Sequence, residues 1–138
     1  MIQRIQTIWL LLASACAFLT LKFSFYSGNK IIDNQKQFIH LTANENMLLT
    51  ILSVAVGIAA LILIFLYKDR KMQLRLTIVT MLLSILNTWL YFSAIKNYVE
   101  GYYDITAFIV FLVPIFLLFA AREIYKDERL VKSMNRLR

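Results

Sequence analysis

Four long apolar segments dominate the pattern of hydrophobic and polar positions along the chain. They cover residues 5–25, 47–67, 76–95 and 105–121. A helix needs about 20 residues to cross a bilayer core of about 30 Å. Because a lipid-facing backbone must satisfy its own N–H and C=O groups, each segment is predicted to be an α-helix. The pattern therefore predicts an all-α membrane protein in which residues 1–138 form a single domain, a four-transmembrane-helix bundle.

The composition excludes an ordinary soluble domain. Hydrophobic residues make up 60% of the chain and charged residues 17%, against about 45–50% and about 25% in soluble domains. Cys16 is the only cysteine, so an internal disulfide is excluded. The motif Ala13-Ser14-Ala15-Cys16 resembles a secretory cleavage site, but the apolar run continues beyond Cys16. We therefore interpret the first segment as a retained span.

Basic residues are distributed unevenly between the two ends of the predicted spans. With four spans, the N-terminus, the connection between spans two and three, and the tail (residues 122–138) share one side. This side carries eleven of the fifteen Lys and Arg residues. The positive-inside rule counts these residues in short flanking segments. Both termini are therefore predicted to be cytoplasmic.

Small and polar residues recur at helical spacing within the second and third spans. Two interpretations remain open: hydrogen bonding between packed helices, which the pattern favours, or the lining of a polar pathway. Pro114 is predicted to kink the fourth span. The residues predicted to pack helices are Ser53, Gly57, Thr80, Ser84 and Asn87.

The residue types that catalysis and metal binding need are missing from the predicted spans. Their interiors contain no Asp, Glu, Arg or His, and Lys22 lies close enough to a span end to reach the interface. His40, in the first connection, is expected to be solvated, and no Ser-His-Asp set is evident. Turns are predicted at Gly28-Asn29 and between Glu100 and Asp104. We therefore predict no enzymatic activity, no catalytic residues, no metal and no cofactor.

The tail, residues 122–138, continues the fourth span without Gly or Pro. Its apolar residues repeat at helical spacing, with basic residues around them, which predicts a basic amphipathic helix that contacts the anionic inner leaflet or an acidic partner. Nearby acids and the lack of aromatic stacking residues argue against nucleic acid. The residues predicted to contact lipid or a partner are Arg4, Lys68, Arg70, Lys71, Arg75, Arg122, Lys126, Arg129, Lys132, Arg136 and Arg138.

Both ends of the chain resemble a known family. The start, Met1-Ile2-Gln3-Arg4-Ile5-Gln6-Thr7, and the end, Asp127-Glu128-Arg129-Leu130-Val131-Lys132-Ser133 followed by Asn135-Arg136-Leu137-Arg138, are similar to those of a family of small bacterial four-helix membrane proteins of unknown function. The resemblance covers the whole chain and implies a bacterial inner-membrane protein. It implies no activity.

These observations predict a non-enzymatic accessory or assembly subunit of the inner membrane. Its basic cytoplasmic face would contact anionic lipid or a protein partner, in a larger membrane complex or a homo-oligomer. The first alternative is a small permease or channel for a weakly polar solute, with the third span as its lining. A lipid-modifying enzyme is a third reading, for which the sequence supplies no reactive cluster.

Overall fold

The computed structural model describes residues 3–134, within which four α-helices and one small sheet are found. Side chains are described from Ile5 onward. The helices are α1 (Gln3–Leu19), α2 (Met47–Phe65), α3 (Arg70–Ile95) and α4 (Ala107–Met134). The strands are β1 (Tyr26–Ile32), β2 (Gln35–Leu41) and β3 (Glu100–Tyr103), and a short 3₁₀ turn, Ala43–Glu45, precedes α2.

Helices α2, α3 and α4 are long and apolar enough to cross a membrane. Helix α1 is shorter than its predicted span of residues 5–25, since its apolar part covers Ile5–Leu19. After Leu19 the α-helix is followed by tighter turns, in which each N–H bonds the carbonyl three residues earlier. The Leu21 N–H donates to the Phe18 carbonyl, and the Lys22 N–H donates to the Leu19 carbonyl. This turn ends the helix and leads Phe25 into the sheet, where its N–H bonds the Leu41 carbonyl.

Helix α3 begins earlier than the apolar pattern predicted, at Arg70 instead of residue 76. The Gln73 N–H bonds the Asp69 carbonyl at 2.8 Å, which starts the helical hydrogen bonding there. The Gln73 side chain is buried and donates to the Leu63 carbonyl of α2 at 2.8 Å. The charged residues at the start of α3 therefore belong to a helix, and the connection to α2 consists only of residues 66–69.

The helices pack in antiparallel pairs around a largely apolar core. Helix α1 contacts α2 and α4, and α3 contacts the same two helices. Trp9 lies against Phe119, and Arg70 pairs with Asp127. The start of α1, the α2–α3 connection and the C-terminal part of α4 thus share one end, which we call the basic end. The central buried residues are Leu10, Ala13, Ala17, Val56, Ala60, Leu63, Val113, Leu117 and Ala120.

Helix α4 runs without interruption through Pro114 and continues to Met134. The proline has no N–H, so the Val110 carbonyl loses its usual helical donor. The C-terminal extension is helical over its described part, as the sequence predicted. One face of it stays in the core: Ile124 is fully buried and Asp127 is 8% exposed.

A three-stranded antiparallel sheet of order β2-β1-β3 covers the end opposite the basic end. This sheet corrects two predictions, because Gly28-Asn29 lies inside β1 and Gly101–Tyr103 lies inside β3, instead of forming turns. The turn between β1 and β2 consists of Asp33 and Asn34, both with positive φ (50° and 61°). Such residues suit the two-residue turns that match strand twist.

Two glycines allow β1 and β3 to come together. Gly28 is paired with Gly101 in the register of the two strands. A Cβ atom on Gly28 would lie 2.3 Å from the Glu100 carbonyl oxygen, and one on Gly101 would lie 2.5 Å from the Ser27 carbonyl oxygen. Both contacts are with backbone atoms, which cannot move aside as a side chain can. The close pairing of these strands therefore requires glycine at both positions.

Candidate anion-binding face at the basic end

Several of the predicted basic residues line one open groove at the basic end. The groove has a volume of about 850 Å³ and lies between the α2–α3 connection and the C-terminal part of α4. Its cationic side chains are Lys68, Arg70, Lys71, Arg75 and Lys132. The other lining residues are Tyr67, Asp69, Met72, Glu128 and Val131.

A partly buried ion pair holds the two sides of this groove together. Arg70 Nε, at the start of α3, lies 3.3 Å from Asp127 Oδ2 on α4. The Arg70 side chain is 26% exposed and that of Asp127 is 11% exposed. Water therefore screens the pair between Arg70 and Asp127 less than it screens an ion pair on the surface. This ion pair fixes the position of the α4 extension relative to α3.

The remaining cations of the groove have no acidic partner. Among the residues that the structure describes, the ion pairs within 4.0 Å are Arg70–Asp127 and Lys126–Glu123, the latter at 3.9 Å. Lys68, Lys71, Arg75 and Lys132 are all exposed. Four cations without an ion pair thus face a single groove, whose lining also includes the carboxylates of Asp69 and Glu128. The cations outnumber these carboxylates, so the potential in the groove is positive.

The outer face of the α4 extension carries further basic residues beside this groove. A smaller depression of about 460 Å³ is lined by Tyr125, Glu128, Arg129, Lys132 and Ser133. Arg122 and Lys126 are exposed elsewhere on the extension. Arg136 and Arg138 lie outside the described residues, and Arg4 is described only in its backbone. Apart from these three, the predicted contact residues all lie at one end of the molecule.

The polar residues of α3 face the interior, and most of their hydroxyl groups bond to carbonyls of α3 itself. Thr77, Thr80 and Ser84 donate to carbonyl oxygens of Gln73, Leu76 and Met81 at 2.7–2.8 Å. Back-bonding of this kind satisfies a hydroxyl without a partner helix.

Asn87, like Gln73 at the start of α3, bonds the neighbouring helix α2. Its amide Nδ2 donates to Ser53 Oγ of α2 at 3.0 Å. Ser84 and Asn87 border an internal space of only about 10 Å³, roughly the volume that one water molecule needs. Gly57 lies against the ring of Phe18, where a Cβ would be 2.9 Å from Cζ. These residues therefore form close helix contacts across a small internal space.

A second polar cluster connects the sheet to the start of α4. Asp104 Oδ2 accepts hydrogen bonds from Ser24 Oγ and, at 2.5 Å, from Ser27 Oγ. His40 is exposed, as predicted, and its Nδ1 also lies 2.6 Å from Ser27 Oγ. These residues form a Ser-His-Asp group that sequence reasoning did not find. The serine, which is fully buried, lies between the other two, whereas hydrolases place the histidine there.

Near the same sheet, burial raises the pKa of the Tyr98 phenol, and the negative charge of Glu45 raises it further. Tyr98 lies in the α3–α4 connection, and its ring contacts that of Tyr26 with centroids 5.5 Å apart.

The described residues contain no group of three or more His, Cys, Asp or Glu side chains suited to holding a metal ion.

Asp127 is the residue at the basic end whose packing role the sequence analysis missed. The sequence pattern groups it with the nearby acids of the tail, but the structure buries it. A signal exists in the sequence, because Asp127 continues the alternating steps of three and four that join the buried residues Val113, Leu117, Ala120 and Ile124. A carboxylate on the apolar face of a helix indicates a nearby cation, here Arg70.

The fold defines a class: a mostly helical chain with three helices able to cross a membrane and a small sheet at one end. Family comparison matches residues 2–137 to DUF4293, a domain of unknown function, and the chain belongs to this family. Comparisons with curated proteins and with solved structures find no match.

Proposed function

We propose that this protein is a non-enzymatic accessory or assembly subunit of the bacterial inner membrane that binds a negatively charged partner at its basic end. The partner is anionic lipid, an acidic surface of another membrane protein, or both. The observation that carries the proposal is the groove of about 850 Å³ into which four cations without an acidic partner face. An anion bound there would lower the repulsion among them.

The proposed topology has four spans with both termini in the cytoplasm. Helix α1 is 17 residues long, about 25 Å at 1.5 Å per residue, which is at the lower limit for crossing a bilayer core. The turn that follows α1 adds length on the sheet side. The uneven distribution of Lys and Arg supports a cytoplasmic location for the basic end.

The alternative function, a permease or channel along α3, receives less support. The α3 hydroxyl groups bond to carbonyls of their own helix, and Asn87 bonds Ser53. The space that they border is about 10 Å³. A solute pathway would therefore require a second arrangement of the helices. We rank this function below the accessory role for that reason.

A charge-neutralising variant tests the accessory role. In the basic-end variant, Lys71, Arg75, Arg122, Arg129 and Lys132 are replaced by Gln, and it is compared with the intact protein after gentle-detergent isolation at native expression levels. Quantitative lipid and protein analysis is expected to show the loss of anionic lipid, of a specific protein, or of both. Identical bound material would refute the proposal.

Two further measurements complete this test. The control variant replaces Lys22, Lys36 and Lys96, which lie away from the basic end, by Gln, and it should keep the bound material. Reporter fusions at both termini should place them in the cytoplasm. Termini on opposite sides would refute the four-span topology.

A further inference from the structure

We propose that the groove at the basic end is a binding site for the phosphate headgroup of an anionic phospholipid. The inference rests on the proposed function and makes it specific, because it assigns the ligand to one groove and to one chemical class. Its cationic contacts would come from Lys68, Lys71, Arg75 and Lys132.

Charge is the first argument for this ligand. The four cations approach the groove from two sides. Three belong to the α2–α3 connection and the first turns of α3, and Lys132 belongs to α4. None has an acidic partner within 4.0 Å among the described residues. Asp69 and Glu128 also line the groove, so with Arg70 its lining carries five cations against two carboxylates and stays positive. A phosphate group offers several acceptor oxygens at one point, so it can be reached from both sides of the groove.

The backbone adds donors on the same side. Asp69 precedes the first turn of α3, and its side chain makes no capping hydrogen bond. The first N–H groups of a helix have no partner within the helix, and they carry the positive end of its dipole. These groups begin at Arg70, which lines the groove. They add positive potential there, which the exposed Asp69 carboxylate beside them partly offsets.

The position of the groove favours a lipid over a soluble anion. Helix α2 ends at Phe65, two residues before the groove begins at Tyr67. Tyr67, Met72 and Val131 give it an apolar wall beside its cations. A site that is level with the end of a predicted span lies at the headgroup region of the bilayer. The apolar wall would then contact the glycerol and upper acyl chain.

The shape of the groove favours a headgroup over an acidic protein segment. Its volume of about 850 Å³ lies within the range of small-molecule sites, about 300–1,000 Å³. The ion pair between Arg70 and Asp127 fixes the α4 wall at one end of the groove. An extended acidic peptide would instead follow the longer outer face of α4, where Arg122 and Lys126 are exposed.

The test compares two variants that lose the same charge. The groove variant is Lys71→Gln/Lys132→Gln, and the control is Arg122→Gln/Lys126→Gln, which removes two cations that do not line the groove. The full-length protein in a neutral detergent is titrated with phosphatidylglycerol or phosphatidylcholine, and bound lipid is counted by native mass spectrometry. Lys71→Arg/Lys132→Arg serves as the charge-conserving variant. Circular dichroism and thermal unfolding verify the fold of each protein.

The intact protein should bind one phosphatidylglycerol in preference to phosphatidylcholine. The groove variant should weaken this binding about fivefold per cation, from about 1 kcal/mol for each Lys or Arg near an anionic surface. The control should change it less than about twofold, and the arginine variant should retain it. If Lys71→Gln/Lys132→Gln does not fold, Lys132→Gln alone should weaken binding about fivefold.

Equal weakening by the two Gln variants would overturn the groove site while leaving the basic end as a docking face. No preference for phosphatidylglycerol over phosphatidylcholine would also overturn the groove site, and the accessory role would then depend on the protein-binding test above. Displacement of the lipid by inorganic phosphate at similar concentration would assign the site to free phosphate and overturn the lipid proposal. Tighter binding of a poly-glutamate peptide, reduced by Lys71→Gln/Lys132→Gln, would assign the site to an acidic protein and also overturn it.

Discussion

The ion pair between Arg70 and Asp127 offers the sharpest test of the packing at the basic end. The perturbation is Asp127→Asn, which keeps the volume of the side chain and removes its charge. Asp127 is 8% exposed and its Oδ2 lies 3.3 Å from Arg70 Nε. The variant therefore leaves the Arg70 guanidinium beside a neutral amide in a partly buried position. Its main effect should be on the free energy of unfolding.

The exposure of the two partners sets the expected magnitude. Breaking a fully buried pair by removing one partner costs about 3–5 kcal/mol, whereas an exposed pair contributes about 0.2–1 kcal/mol. The Arg70 side chain is 26% exposed and can turn partly toward solvent when its partner is lost. We therefore expect Asp127→Asn to lower the free energy of unfolding by about 2 kcal/mol. Arg70→Gln should have a similar effect, since it leaves the carboxylate without its cation.

A double-mutant cycle distinguishes the energy of the interaction between Arg70 and Asp127 from the effect of each side chain alone. Unfolding of Asp127→Asn, Arg70→Gln and the double variant is followed by circular dichroism in mixed micelles. The double variant should lose about as much stability as either single variant, which gives a coupling energy of about 2 kcal/mol. Additive losses would show that the two residues act independently. They would refute the ion pair as the contact that positions α4.

Three further predictions concern the sheet and the helix core. Gly28→Val should separate β3 from β1, because a Cβ at this position meets backbone atoms of β3. The rate of amide hydrogen exchange should then rise across β3, and unchanged protection would contradict the pairing. Asn87→Leu removes the hydrogen bond to Ser53 and should lower the free energy of unfolding by about 0.6–2 kcal/mol. Solute flux in liposomes should not change. Altered flux with an intact fold would favour the permease. Tyr98 should titrate above the ordinary value of 10.0 by ultraviolet absorbance. The pKa of Tyr98 is raised in the folded state, so its contribution to the free energy of unfolding should be fully present below the ordinary pKa of tyrosine. This contribution should fall as the pH rises through the folded-state pKa. Tyr98→Phe should remove this pH dependence. Glu45→Gln should lower the pKa of Tyr98, and no change would contradict the electrostatic contribution.

Hydrophobic periodicity predicted the helices well because helical hydrogen bonds are local. Helix α2 begins at Met47, as the pattern predicts, and α4 continues into the tail as far as Met134, where the described residues end. The apolar pattern did not locate the start of α3 at Arg70, because the first turns of that helix are polar. Charge alone does not distinguish a polar helical turn from a loop.

The sheet could not be predicted in the same way because its pairing is nonlocal. Strand β1 pairs with β3, which follows it by about seventy residues and contains only Glu100–Tyr103. Local signals existed: Asp33-Asn34 suits a two-residue hairpin turn, and the glycines of β1 and β3 allow close approach. The register that joins them depends on how the helices bring the two connections together. The cluster of Asp104 with Ser27 and His40 depends on the same pairing.

For the candidate site, the sequence predicted the residue type and the end of the molecule, but not the geometry. Lys68, Lys71, Arg75 and Lys132 follow from the distribution of charge. Their convergence on one groove depends on the antiparallel contact of α3 with α4, which the buried Asp127 helps to fix. Arg70 was predicted to contact an external partner, yet its guanidinium pairs with Asp127 within the chain.

The small sheet has a mechanical consequence for the whole molecule. Strands β1 and β2 belong to the loop of one helical hairpin, α1–α2, and β3 belongs to the loop of the other, α3–α4. Backbone hydrogen bonds, such as the one from the Val99 N–H to the Asn29 carbonyl, therefore connect the two hairpins at one extremity. At the opposite extremity the chain itself joins the hairpins, because residues 66–69 connect α2 to α3. The two hairpins are therefore tied together at both extremities, covalently at one and by interstrand hydrogen bonds at the other, so opening the bundle lengthwise requires the sheet to come apart first.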